Sequence, residues 1–109
     1  ERYRAGLWQR MGFPPRRAGD RPCAWVHAAS VGEVSVSRTL VRAIEREFPG
    51  WDVVVSTNTN TGQNMAKKNF PRSLTFYFPF DFTGCVRSTL RRIRPSCILL
   101  VELELWPNF

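Results

Sequence analysis

Four short apolar runs, separated by segments of helical length, constrain this chain more than any other feature. The runs are Cys23 to His27, Asp52 to Ser56, Leu74 to Phe78 and Cys97 to Val101; amphipathic segments lie between them at about 31–48, 61–69 and 82–94. Strands that are continuously apolar are buried on both faces, and strands joined through helices run parallel. The expected fold is therefore α/β, a parallel sheet with helices on both faces and right-handed crossovers, in the order βαβαβαβ.

The punctuation agrees with this order. Pro49-Gly50 ends the first helical segment, Asp81 is placed to cap the third, and Arg91, Arg92 and Arg94 sit in its last turn before Pro95. Val36, Leu40, Ile44 and Phe48 are expected to form the core stripe of the first helix, and Phe82, Val86, Leu90 and Ile93 that of the third. Pro14-Pro15 and the stretch Arg16 to Pro22 interrupt any helix begun at Arg2 to Met11, so the compact domain is expected to start near Cys23. Residues 1–22 then form a basic amphipathic arm and 23–109 a single domain.

Charge is concentrated in that arm. Of the formal net charge of +7, residues 1–22 hold six arginines against Glu1 and Asp20. A basic segment with interleaved Tyr3, Leu7, Trp8, Met11 and Phe13 suits an anionic membrane surface, a phosphorylated substrate or nucleic acid. Its aromatic and aliphatic residues favour lipid over a duplex backbone, which chiefly wants exposed charge. A solvated linker is the plain alternative. At 43% hydrophobic residues the chain is globular, and no run of about 18 apolar residues exists to span a bilayer. No secretory signal pattern is visible. Cys23, Cys85 and Cys97 are odd in number and lack metal-binding spacing, so they read as small buried hydrophobes in a reducing compartment.

In a parallel sheet every strand-to-helix loop opens on the edge beyond the carboxyl ends of the strands. The polar residues gather there: His27, Ser30 and Glu33 after the first strand, Thr57-Asn58-Thr59-Asn60-Thr61-Gly62 after the second, Asp81 after the third, and Glu102, Glu104, Trp106 and Asn108 after the fourth. Two readings of Glu33 stay open on spacing alone. Ser30-Val31-Gly32-Glu33 fits a capping box, in which Ser and Glu side chains satisfy two backbone donors. It also puts a carboxylate in a first helical turn at the rim, where a general base belongs. The Thr/Asn run is either a cap-rich turn or a cradle for phosphate or carboxylate. It lacks the spacing of a phosphate-binding P-loop, and no GxGxxG, HExxH or Ser/His/Asp arrangement occurs. Glu102 and Glu104 extend a buried run, so they must lie near the rim, paired with a cation or a ligand. His27 reads as a hydrogen-bonded structural group with acid/base work as the alternative.

In combination, His27-Ala28-Ala29-Ser30-Val31-Gly32-Glu33, Thr57 to Gly62, Phe78-Pro79-Phe80-Asp81 and Glu102-Leu103-Glu104-Leu105-Trp106-Pro107-Asn108 resemble the amino-terminal half of the 3-deoxy-D-manno-octulosonic acid (Kdo) transferases. Tyr3 to Gly12 is similar to the segment that follows the membrane anchor in that family. The turn Asn58-Thr59-Asn60 is richer in Asn than the family's usual version. The resemblance implies a GT-B glycosyltransferase, of which this chain is the first, Rossmann-like half. That half would bind the acceptor, lipid A precursor, and the second half the donor, CMP-Kdo. It further implies an inverting reaction without cofactor or catalytic metal, at the cytoplasmic face of the bacterial inner membrane, with no nucleic acid as partner. Carried over residue by residue, Glu33 matches the general base and Glu102 the position that helps at the transition state, with Glu104 second. Ser30, Gly32, Thr61 and Gly62 would shape the acceptor pocket. The anchor helix and donor half would lie outside these 109 residues, which alone are expected not to transfer sugar. Another GT-B transferase, or a basic binding module for anionic membrane or nucleic acid, are the alternative readings.

Overall fold

The computed structural model describes residues 2–102. In chain order these form α1 (Arg2–Arg10), β1 (Cys23–Ala28), α2 (Val31–Glu47), β2 (Asp52–Thr57), α3 (Asn60–Asn69), β3 (Leu74–Tyr77), α4 (Thr83–Ile93) and β4 (Cys97–Val101). The strands make one sheet in the order β3-β2-β1-β4. All three pairings are parallel, with Cys23 opposite Asp52, Ala24 opposite Cys97 and Val54 opposite Leu74. This is the Rossmann-like α/β arrangement that the alternation of apolar runs implies.

Because side chains alternate across a strand, the central strands β1 and β2 each feed two cores. Ala24, Val26, Ala28, Val53 and Val55 pack with Val34, Val41 and Ile44 of α2 and Ala66 of α3. On the other face Cys23, Trp25, Val54 and Phe76 pack with Ile93 of α4. Full burial of one Val or Phe side chain contributes roughly 1.5–3 kcal/mol, so the central strands carry much of the stability.

The expected core stripes hold in part: Ile44 and Ile93 are buried and Leu40 packs against the core, but the remainder of each stripe is displaced. In α2 the buried residues are Val34, Ser37, Val41 and Ile44, while Val36 and Phe48 are exposed. In α4 they are Thr89 and Ile93, while Phe82 and Leu90 face outward. The cause is geometric. A step of four residues overshoots a 3.6-residue turn by about 40°, so the run Val36, Leu40, Ile44, Phe48 crosses the core face of α2 and leaves it at both ends.

The leading segment belongs to the compact body, contrary to a domain start at Cys23. Gln9 Oε1 accepts from the Tyr77 backbone N–H at 2.8 Å, which ties α1 to β3. Gly12 has a φ of +108°, and a Cβ there would lie 2.9 Å from Ser88 Cβ, so this turn presses directly on α4. Arg17 is buried against β2 and the end of α4: it donates to Asp52 Oδ2 at 2.8 Å, Ile93 O at 2.6 Å and Arg94 O at 3.1 Å. The prolines of the arm stop the helix, but they do not detach what precedes them.

β4 is an edge strand, and the residues it shares with the Trp25 face, Ile98 and Leu100, are exposed among the described residues. Cys97 is exposed for the same reason and Cys85 is half-buried, so only Cys23 is the fully buried thiol that the sequence led us to expect of the three.

Candidate functional site

Two loops at the carboxyl edge of the sheet are locked to one another. The chain leaves β1 at Ala28, and Ser30 takes an extended conformation as the N-cap of α2. It does not form the expected reciprocal cap. Its hydroxyl instead hydrogen-bonds to the Glu33 carboxylate, and no side-chain cap is made to the backbone. The capping-box spacing thus produces a Ser–Glu pair at the first turn of α2, a different use of the same two residues. Glu33 is half-buried there, held beside an N-terminus whose partial positive charge favours an anion.

The second loop starts where β2 ends. Asn58 N donates to Ala29 O at 2.8 Å, which fastens the β2–α3 loop onto the β1–α2 loop. Thr59 caps α3 by accepting from Gly62 N at 3.0 Å. Gly62 is the contact point between the two loops: a Cβ there would sit 2.9 Å from Thr59 Oγ1 and 3.5 Å from Ser30 Cα. Any larger residue must displace the cap or the Ser30 backbone. Behind it, Thr57 Oγ1 and Gln63 Oε1 are joined at 2.8 Å in the interior.

His27 faces the same edge from β1. Its Nδ1 lies 2.8 Å from Ser56 Oγ, which also accepts from Trp25 Nε1 at 2.7 Å, and its ring packs against Phe78 at 4.2 Å. Burial pushes the His27 pKa below its ordinary 6.5, opposed by the bond to Ser56 and the Glu33 charge and reinforced by Arg10. His27 is therefore a mainly neutral ring near neutral pH, in electrostatic reach of Glu33.

The structure brings Ser30, Glu33, Gly62 and His27 together. Thr61 is exposed, and its hydroxyl lies 3.4 Å from that of Thr59. Gly32 lies in the first turn of α2, half-buried. Glu102 is exposed one residue past β4, beyond the Ala28–Val101 pair, and so on the same rim. Glu104, Trp106 and Asn108 lie outside the described residues. Asp81 does not cap α4: the N-cap is Phe82, without a side-chain bond, and Asp81 is an exposed loop residue. Arg10, Tyr77 and Phe80 border the Asn58–Asn60 loop; Arg10 and Phe80 fall in segments that carry the family resemblance, but the sequence singles out none of the three as a site residue. They enter only because α1 folds back onto β3. Among the described residues no group of three or more His, Cys, Asp or Glu could hold a metal ion.

A rim of this kind, on a chain with these four polar blocks in this order, matches the family model described as 3-deoxy-D-manno-octulosonic-acid transferase (kdotransferase) over residues 5–109. The chain belongs to this Kdo transferase family. Among its relatives are the 3-deoxy-D-manno-octulosonic acid transferases of Chlamydia pneumoniae, 34% identical over 99% of this chain and 25% of the relative, and of Haemophilus influenzae, 34% over 98% and 26%. That of Bordetella pertussis is 36% identical over 98% of this chain and 28% of the relative. The chain thus spans about a quarter of the length of these Kdo transferases. No solved structure matches it.

Proposed function

We propose that this chain is part of the acceptor-side half of an inverting GT-B Kdo transferase, which transfers Kdo from CMP-Kdo to a lipid A precursor in lipopolysaccharide assembly. The observation that carries the reading is the Glu33 carboxylate, placed by its bond to Ser30 at the carboxyl edge of a parallel sheet in a chain of this family. An inverting transfer is one displacement. Glu33 accepts the proton of an acceptor hydroxyl as that oxygen attacks the anomeric carbon of Kdo, and CMP departs with the electrons of the broken bond. Ser30 orients the carboxylate. Ser30, Gly32, Thr61 and Gly62 shape the acceptor's seat, with the close approach at Gly62 keeping the two loops in register. Glu102, with Glu104 next to it in sequence, would act on charge developing at the transition state. No cofactor or metal is assigned a step. The donor contacts would come from residues outside this chain, so these 109 residues alone are expected to be inactive.

α1 and the turn after it support a position at the cytoplasmic face of the inner membrane. Leu7, Trp8, Met11 and Phe13 are exposed together, and Trp8 and Phe13 meet edge to face at 5.2 Å. Amphipathic rings and aliphatic side chains beside arginines suit the headgroup layer of an anionic leaflet. Among the described residues no helix is long and apolar enough to cross a membrane. The same structure weakens the reading of the arm as a nucleic-acid binder, because Arg17 is buried and Arg21 is engaged with the carbonyls of Pro49 and Gly50.

The test is Glu33→Gln in the full-length protein, assayed for CMP release and Kdo-lipid product with circular dichroism as a folding control. Loss of transfer by at least about a hundredfold with the fold retained is expected from removal of a general base. Near wild-type turnover would reduce Glu33 to a structural residue.

A further inference from the structure

α1 does not close flat against the sheet. A cavity of about 400 Å3 remains between it and the β2–α3 loop, walled by Leu7, Arg10, Asn58, Asn60, Tyr77 and Phe80. Arg10 is the cation of that wall. Its Nη1 donates to Asn58 O at 3.3 Å, and its guanidinium stacks 4.7 Å above the Phe80 ring. Its Nε is buried without a hydrogen-bond partner among the described residues. That nitrogen is closed off, so a ligand in the cavity meets the Nη groups of the guanidinium, for which an anionic oxygen is the strongest acceptor. Asn60 adds a second donor: Tyr77 gives its hydroxyl proton to Asn60 Oδ1, which leaves the amide NH2 without a partner among the described residues. Asn60 is also the first residue of α3, where backbone N–H groups point out of the helix. The rest of the wall, Leu7 and the aromatic rings, is apolar.

We infer that this cavity is a binding subsite for a phosphate ester, with the phosphate on Arg10 and Asn60 and the sugar or acyl body against Leu7 and Phe80. The planar guanidinium, already fixed on one ring face, presents a preorganised edge to two phosphate oxygens. A volume near 400 Å3 lies at the low end for small-molecule sites and admits one phosphorylated sugar unit. That the phosphate belongs to the acceptor rests on the function proposed above. The subsite itself stands on the geometry and lies on the same rim as Glu33, across the loop Asn58–Asn60.

The experiment is calorimetric titration of the full-length protein, without donor, with N-acetylglucosamine 1-phosphate, N-acetylglucosamine and inorganic phosphate. Saturable binding of the sugar phosphate is expected, at least tenfold tighter than the neutral sugar, and weakened at least tenfold by Arg10→Gln but not by Arg46→Gln on the far end of α2. Leu7→Trp, which fills the apolar side and leaves the cation in place, should abolish binding of the sugar phosphate and spare inorganic phosphate. Equal affinity for the phosphorylated and neutral sugars would overturn the subsite, as would unchanged affinity in a folded Arg10→Gln. Phosphatidylglycerol vesicles distinguish the source: competition that depends on Arg10 assigns the phosphate to a bilayer lipid, and its absence assigns it to the acceptor, the subsite standing in both cases. Binding without any turnover dependence on Glu33 defeats the transferase reading alone; Glu33-dependent turnover with no binding defect in Arg10→Gln defeats this inference alone.

Discussion

Arg17 and Arg94 each donate to the other's backbone carbonyl: Arg17 Nη2 to Arg94 O at 3.1 Å and Arg94 Nη2 to Arg17 O at 2.7 Å. Two like charges are held side by side because each guanidinium closes the chain turn of the other. Arg94 stands in the left-handed region, with a φ of +52°, at the carboxyl end of α4. Arg17 spends its remaining donors on Ile93 O, Arg21 O and Asp52. Asp52 balances Arg17, and Asp20 accepts from Arg94 Nη1 at 3.3 Å.

Arg17→Met should therefore unfold the domain more easily by about 3 kcal/mol, the scale for removing one partner of a buried ion pair. The Arg17 side chain is only 6% exposed, so water cannot replace it. Urea denaturation measures the loss. The double variant with Asp52→Asn should lose less than the sum of the single changes, since the uncompensated carboxylate is then gone. An unchanged midpoint in Arg17→Met would show the arm to be dispensable.

Gly62→Ala separates stability from geometry. The added Cβ forces Thr59 out of its cap, a loss of about 1 kcal/mol, and the gain in helix propensity offsets part of it. The melting temperature should move by only a few degrees. Acceptor-dependent transfer by the full-length protein should nevertheless fall at least tenfold, because the displaced cap shifts Ser30 and with it Glu33. Gly62→Val, which also meets the Ser30 backbone, should cost stability outright; normal transfer in either variant would mean that the two loops move independently.

Acid should weaken the fold through His27, the chain's single histidine. Its folded pKa lies below 6.5, chiefly through burial, so the unfolded chain binds the proton more readily. Stability is then full above about pH 6.5 and declines as pH falls below that value toward the folded pKa. His27→Gln removes this contribution, and its urea midpoint should vary less between pH 7.5 and pH 5 than that of the wild type. A parallel decline in both proteins would place the acid sensitivity in the carboxylates.

Thiol labelling should follow exposure. Burial pushes the Cys23 thiol up to about 11, with Arg17 pulling against it and Asp52 adding to it. Cys97 is exposed and Cys85 half-buried. An aromatic disulfide reagent at pH 8 should modify Cys97 first and Cys23 only on unfolding. Native labelling of Cys23 at the rate of Cys97 would mean that the sheet opens at its centre.

The strands were legible because burial on both faces leaves uninterrupted apolar runs, as in Val53-Val54-Val55. The rim was legible because a parallel sheet admits one direction for its loops. What failed in the helices was phase. Val36 and Leu90 have the right composition for a core and sit on the wrong side of a 3.6-residue turn, which only the packing partner decides. The place of Arg10 and Arg17 was hidden for a different reason. Their partners are 48 and 35 residues away at Asn58 and Asp52, and no local pattern encodes a return across that distance. Ser30 and Glu33 were read at the right place with the wrong bond, since the same spacing serves a cap or a side-chain pair.

Among the described residues β4 borders the sheet on one side, with Ile98 46% and Leu100 62% exposed. Such a border is a template. Its outer row of amide and carbonyl groups can accept another strand, and its apolar side chains reward the addition. A strand laid along this margin, from the remainder of the protein or from a second copy, would meet that row and cover Ile98 and Leu100.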